Sequence, residues 1–117
     1  MNFINFTNHP VETWKIQQIQ AAENYGPIME LPFPAVESTA NEAEIAKLAD
    51  DAVEKILSMN PAAVLCQGEF TLAYAVINRL KNHGVKVVAA CSTRIVDVTE
   101  DGKKVVTFCF ERFREYV

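Results

Sequence analysis

Two short apolar runs, Pro61–Cys66 (PAAVLC) and Val85–Ala90 (VKVVAA), bracket a segment whose apolar residues recur at three and four. Runs this short and this apolar suit strands covered on both faces, the arrangement of a parallel sheet beneath helices. Between them, Glu69 to His83 places Leu72, Ala75, Val76 and Leu80 on one side of a helix, and Gly84 supplies its C-cap. A strand, a helix and a second strand make a βαβ unit with a right-handed crossover. The stretch from Pro61 to Cys91 therefore commits the chain to an α/β architecture.

The flanking sequence extends that unit in both directions. Phe3 to Thr7 is aromatic and β-branched and reads as a strand ended by Asn8, His9 and Pro10. A helix over Glu12 to Tyr25 follows, with Gly26 and Pro27 as its stop, then a second strand over Pro27 to Phe33. From Asn41, a capping residue with Glu44 at the capping-box position, Ile45, Leu48, Ala49, Ala52, Val53 and Ile56 repeat with helical spacing. Beyond Cys91 the pattern becomes two half-polar strands, Arg94 to Thr99 and Lys103 to Glu111, joined by Glu100-Asp101-Gly102, a hairpin signal. The expectation is one α/β domain over residues 1–117: a small Rossmann-like (flavodoxin-like) parallel sheet flanked by helices, with a C-terminal β-hairpin.

Composition narrows the function classes. With 11 Lys and Arg against 15 Asp and Glu, the net charge of −4 argues against a protein that coats duplex nucleic acid. The imbalance is uneven: residues 1–60 carry three Lys and nine acids, residues 61–117 eight cations and six acids, so an anion-binding surface leans on the C-terminal half. Cys66, Cys91 and Cys109 are odd in number and sit in apolar runs without paired spacing. They read as reduced, buried thiols of a cytoplasmic protein. No stretch of about 18 apolar residues predicts a membrane span, and MNFINFTNHP lacks the pattern of a signal peptide. Two distant histidines and no clustered carboxylates predict neither a metal site nor a cofactor motif.

Ligands of open parallel sheets gather beyond the carboxyl ends of the strands, where loops and helix starts converge. Thr7, Asn8 and His9 follow the first strand, and His9 is a candidate proton carrier or phosphate contact. Gln67, Gly68, Glu69, Phe70 and Thr71 follow the third. Gly68 would let the backbone approach a ligand and the helix amides receive a phosphate oxygen, whereas Glu69 suits an ordinary helix cap that repels an anion. Ser92, Thr93 and Arg94 follow the fourth strand, with two hydroxyls and a guanidinium fork suited to an anion, or to a turn with Arg94 in solvent.

In the tail, alternation puts Phe108, Phe110, Arg112 and Arg114 on one face and Cys109, Glu111, Phe113 and Glu115 on the other. A strand aromatic on both sides is expected to pack against something, most simply a second copy of the chain. It could also stack bases, against which the interleaved acids count. Trp14 reads as a core residue. A thiol nucleophile at Cys66 or Cys91 is the remaining enzymatic alternative.

The opening INFTNHP, the central AAVLCQGEFTLAYAVINRLKNHGVKVVAACSTR and the terminal hairpin resemble the small CRISPR-associated proteins of type III systems, minimal relatives of the CARF-domain ring nucleases of antiviral defence. The resemblance implies a homodimer whose strand-end surfaces hold a cyclic oligoadenylate ring. It further implies metal-independent cleavage, a ribose 2′-hydroxyl attacking the neighbouring phosphodiester to leave a 2′,3′-cyclic phosphate. No catalytic residue transfers by motif, so candidates come from the strand ends: His9, Ser92 and Arg94 for catalysis, with Thr7, Asn8, Gln67, Gly68, Glu69, Phe70, Thr71 and Thr93 for binding. A sensor or assembly module that binds without turnover is the alternative.

Overall fold

Along the middle strands apolar side chains alternate to both faces, and the sheet is accordingly covered on both. The computed structural model describes residues 1–117. Its elements run β1 (Asn2–Phe6), a 3-10 turn (Val11–Thr13), α1 (Ile16–Glu23), β2 (Ile28–Glu30), α2 (Glu42–Ser58), β3 (Pro61–Cys66), α3 (Phe70–Asn82), β4 (Val87–Val98) and β5 (Lys104–Glu115). The strand order is β2-β1-β3-β4-β5, parallel except for the antiparallel β4/β5 pair. This is the expected small Rossmann-like sheet with a C-terminal hairpin, and its strand order reverses between β1 and β3.

Each face has its own core. Ile4, Phe6, Val64, Cys66 and Val87 lie under α2 and α3 with Ala49, Val53, Ile56, Leu72, Val76 and Leu80, all buried. Phe3, Ala63, Leu65, Val88 and Phe113 lie under α1, which contributes buried Ala22 and is flanked by Trp14 and Tyr25. Eight-residue α1 covers far less sheet than the 17 and 13 residues of α2 and α3. The thin side is therefore the one left open for a ligand.

The secure sequence signals appear where expected. Asn41 caps α2 by accepting from the Glu44 amide at 2.9 Å, and β3 spans Pro61–Cys66. Elsewhere tertiary contacts override the local pattern. The expected helix over Glu12–Tyr25 begins only at Ile16, because Trp14 and Lys15 are extended and the Trp14 indole Nε1 donates to the His9 carbonyl at 3.0 Å. The expected strands Val85–Ala90 and Arg94–Thr99 are one continuous β4.

A second correction concerns the tail. In the β4/β5 ladder Cys91 faces Arg112 but Ser92 faces Phe110, so Glu111 is the extra residue of a β-bulge. The alternation resets there. Phe113, opposite Ala90, Phe110, opposite Ser92, and Phe108, opposite Arg94, consequently share the α1 face, and the rings of Phe110 and Phe113 approach to 4.9 Å.

The distal parts of β4 and β5 project as a two-stranded arm. Its tip is the turn Thr99–Gly102, closed by the Gly102 amide on the Thr99 carbonyl at 2.9 Å and by Gly102 at φ +82°. The arm raises the radius of gyration to 16.0 Å, against about 13 Å for a compact chain of this length.

Gly68 is needed for packing on the α2/α3 side. A Cβ there would stand 2.6 Å from the ring carbons of buried Phe33. Gly68→Ala is expected to cost about 1–3 kcal/mol through overpacking, read as a lower urea midpoint; an unchanged midpoint would show that the Phe33 ring yields freely.

Candidate functional site

β3 and β4 are paired through Val64–Val87 and Leu65–Val88 and then part. The Gln67 side chain bridges the gap, its Oε1 accepting from the Ala90 amide at 2.9 Å. Beyond this point a cleft of about 400 Å³ opens on the α1 side of the sheet. Leu65 and Ala90 form its floor, Trp14, Lys15 and Gln18 one wall, and Ser92, Phe108 and Phe110 the other, with Thr7, His9, Thr13 and Gln67 at the strand ends.

The loop carrying His9 is tied to a buried amide. Asn5, 2% exposed, donates from Nδ2 to the His9 carbonyl at 2.9 Å and to Glu30 Oε1 at 3.0 Å, and its Oδ1 accepts from the Thr7 hydroxyl at 2.8 Å. The His9 amide donates to Thr7 Oγ1 at 3.0 Å, and Glu30 also receives the Val11 amide at 2.6 Å. The backbone of Thr7–Val11 is thereby fixed, while the His9 imidazole makes no hydrogen bond. Trp14 is half-buried, edge-on to Phe3 with ring centroids 6.4 Å apart, and serves core and cleft together.

No carboxylate lines this cleft, in a chain with 15 of them. Four other surface depressions each carry at least one: Glu42, Asp50 with Glu54, Glu30, and Asp51 with Glu54. α1 also opens at the cleft with Lys15 at its N-cap, no side-chain cap and no acid in its first turn. The local field thus favours an anion although the whole chain is acidic.

Of the residues expected at the site, Thr7, His9, Gln67 and Ser92 meet in this cleft. Asn8 lines a smaller depression with Glu30 and Pro32. Gly68 faces Phe33 on the opposite side of the sheet. Phe70 is 88% exposed on α3, and Thr71 borders the groove between α2 and α3. Thr93 points to the α3 side, its hydroxyl donating to Glu111 at 2.9 Å. Arg94 is two residues beyond Ser92 on the same face, exposed and outside the cleft. His9, Gly68 and Arg94 accordingly do not form one pocket.

Glu69 occupies the start of α3. Its carboxylate accepts from the Leu72 amide at 2.8 Å and from the Thr71 amide at 3.1 Å and hydroxyl at 2.7 Å. That is the helix-cap reading, and it fills the position an anion would need. Thr13, Trp14, Lys15, Gln18, Leu65, Ala90, Phe108 and Phe110 also line the cleft and are not expected there from sequence. Nothing in local spacing marks them, because the cleft joins four separate stretches of the chain, residues 7–18, 65–67, 90–92 and 108–110.

All three cysteines are unpaired. Burial pushes the Cys66 thiol up to about 12, so about one molecule in 10⁵ is thiolate at pH 7. Cys66 is expected to resist iodoacetamide at pH 8 until the protein unfolds; rapid alkylation of the native chain at this residue would contradict its burial.

Fold and cleft together define a small Rossmann-like α/β domain with a carboxylate-free cleft at its strand ends. The chain belongs to the uncharacterized protein MJ1673 family, whose model matches residues 1–114. No curated protein matches it in sequence. No helix is long and apolar enough to cross a membrane.

The hydrogen bonds from Leu72 and Thr71 hold the Glu69 carboxyl below the usual carboxylate range. A depressed folded pKa adds stability above the unfolded value, and this is lost as pH falls through the folded one. Glu69→Gln is therefore expected to lower the urea midpoint at pH 7 and to lose its effect in acid, where the wild-type group is protonated too; a difference undiminished by acid would rule out the charged cap.

Proposed function

We propose that the cleft binds a nucleotide of a cyclic oligoadenylate and that a homodimer cleaves the ring without a metal. The carrying observation is the carboxylate-free lining, which sets Trp14, Phe108 and Phe110 beside an ammonium, an imidazole, hydroxyls and amides. Aromatic faces stack bases at about 1–3 kcal/mol each. Lys15 and the uncapped first turn of α1 suit the phosphate, while Gln67 Nε2 and Ser92 Oγ supply hydrogen bonds to sugar and base.

In the proposed reaction the ribose 2′-oxygen bonds to the adjacent phosphorus as the bond to the 5′-oxygen breaks. His9 accepts the 2′-hydroxyl proton, and a solvent water protonates the departing 5′-oxygen. Alignment of the nucleophile and charge neutralisation by Lys15 supply most of the acceleration. The resemblance to type III CRISPR-associated proteins supports the choice of ligand. Exposed Ile95 and Val105, on the face of the arm turned away from the cleft, support association of two copies. Three unpaired cysteines support a cytoplasmic setting.

A single imidazole with no second imidazole and no carboxyl group beside it favours, as the second reading, a sensor that binds the ring without turnover. Incubation with cyclic tetra- and hexa-adenylate in EDTA tests both. Cleavage to a linear product ending in a 2′,3′-cyclic phosphate is expected. His9→Ala should slow it about 10²–10⁴-fold with affinity within threefold (~0.65 kcal/mol), and Lys15→Ala should weaken binding. Binding without cleavage selects the sensor, and absence of both for either ring removes the proposal.

A further inference from the structure

The acids interleaved along the tail are sorted by the pleat. Register places Arg94, Val96 and Val98 of β4 on one face of the arm with Lys104, Val106 and Phe108 of β5. Asp97 lies on the other face opposite Val105, and the bulged Glu111 joins it there through Thr93. Among its paired positions the first face therefore carries two cations and no carboxylate, the acids Glu100 and Asp101 lying beyond it in the tip turn. Neither Arg94 nor Lys104 belongs to an ion pair. The face runs directly out of the cleft, because Phe108 and Ser92 belong to both.

We infer that this face of the arm is a second binding segment for the rest of an oligonucleotide whose first nucleotide sits in the cleft. The inference rests on the nucleotide reading of the cleft and deepens it by specifying a ligand of several linked nucleotides. The cleft, about 400 Å³, is at the small end of ligand pockets, roughly 300–1,000 Å³, and takes a guest about the size of one nucleotide. Arg94 lies about 7 Å beyond Ser92 along β4, and Lys104, opposite Val98, about 13 Å further. Stacked nucleotides at about 3.4 Å each cover that second interval in about four steps. Phe108, 59% exposed, offers a ring at the join, and the valines give bases an apolar floor.

A second copy is the competing occupant, and charge disfavours it on this face. Two such faces meeting across a two-fold axis would set Arg94 and Lys104 against their own copies with no carboxylate to pair them. A polyanion neutralises both.

The test compares binding of AMP, linear hexa-adenylate and cyclic hexa-adenylate to wild type, to the Arg94→Glu/Lys104→Glu variant and to Asp97→Lys as an opposite-face control. All three positions are exposed, so folding is not at stake. Wild type is expected to bind both oligoadenylates at least tenfold tighter than AMP, an advantage that shrinks with salt. The double variant should lose that advantage with AMP affinity within twofold, and Asp97→Lys should keep it. An advantage retained by the double variant, with AMP still bound, overturns the arm segment alone. No nucleotide binding by wild type overturns the cleft reading as well. A change in sedimentation of the double variant without a change in oligoadenylate affinity assigns the face to a second copy and overturns the inference.

Discussion

A buried amide in the middle of the sheet sets the geometry of the ligand-facing end. Asn5 is on the inner strand β1, where an unpaired polar side chain would cost about 1–3 kcal/mol or more, and each of its hydrogen bonds runs to the loop beyond the strand or to the end of the neighbouring strand β2. That converts a desolvation penalty into loop order. The His9 carbonyl, held by Asn5, in turn receives the Trp14 indole, and α1 begins only at Ile16, after that bond. The wall of the cleft is thus fixed from inside the core.

The other wall depends on a one-residue irregularity. Without the bulge at Glu111, strict alternation would put Phe113 on the face opposite Phe110, and the core under α1 and the cleft could not share one run of aromatic rings. With it, Phe113 packs against Phe3 at 5.0 Å while Phe110 and Phe108 pass into the cleft. Bulges are common where a strand must re-aim side chains near a site. Here the same shift also turns Glu111 away from the ligand side.

Electrostatics are arranged locally rather than globally. A chain of net charge −4 would repel a polyanion at long range, yet screening limits such repulsion to about 8–10 Å at ordinary ionic strength. The cleft and the adjoining arm face have Lys15, Arg94 and Lys104, and no carboxylate is among the residues lining the cleft or paired along that face. Glu69, which could have opposed this, is spent on the α3 cap on the other side of the sheet. Segregation of acids by face reconciles an acidic composition with a carboxylate-free cleft.

Periodicity and capping chemistry are local properties, so the sequence by itself determined the strand–helix order, the capped start of α2, the helix between β3 and β4 and the hairpin at Asp101-Gly102. It also pointed to the strand ends, and Thr7, His9, Gln67 and Ser92 were legible there because polar residues follow apolar strands. Tertiary structure alone decided the rest. The contact of Gly68 with Phe33 was not legible, since it joins residues 35 positions apart. Trp14, Lys15, Phe108 and Phe110 became one cleft only through sheet order. The bulge that aims the tail arises from pairing between strands, and a single strand's pattern holds no record of which residue its partner skips.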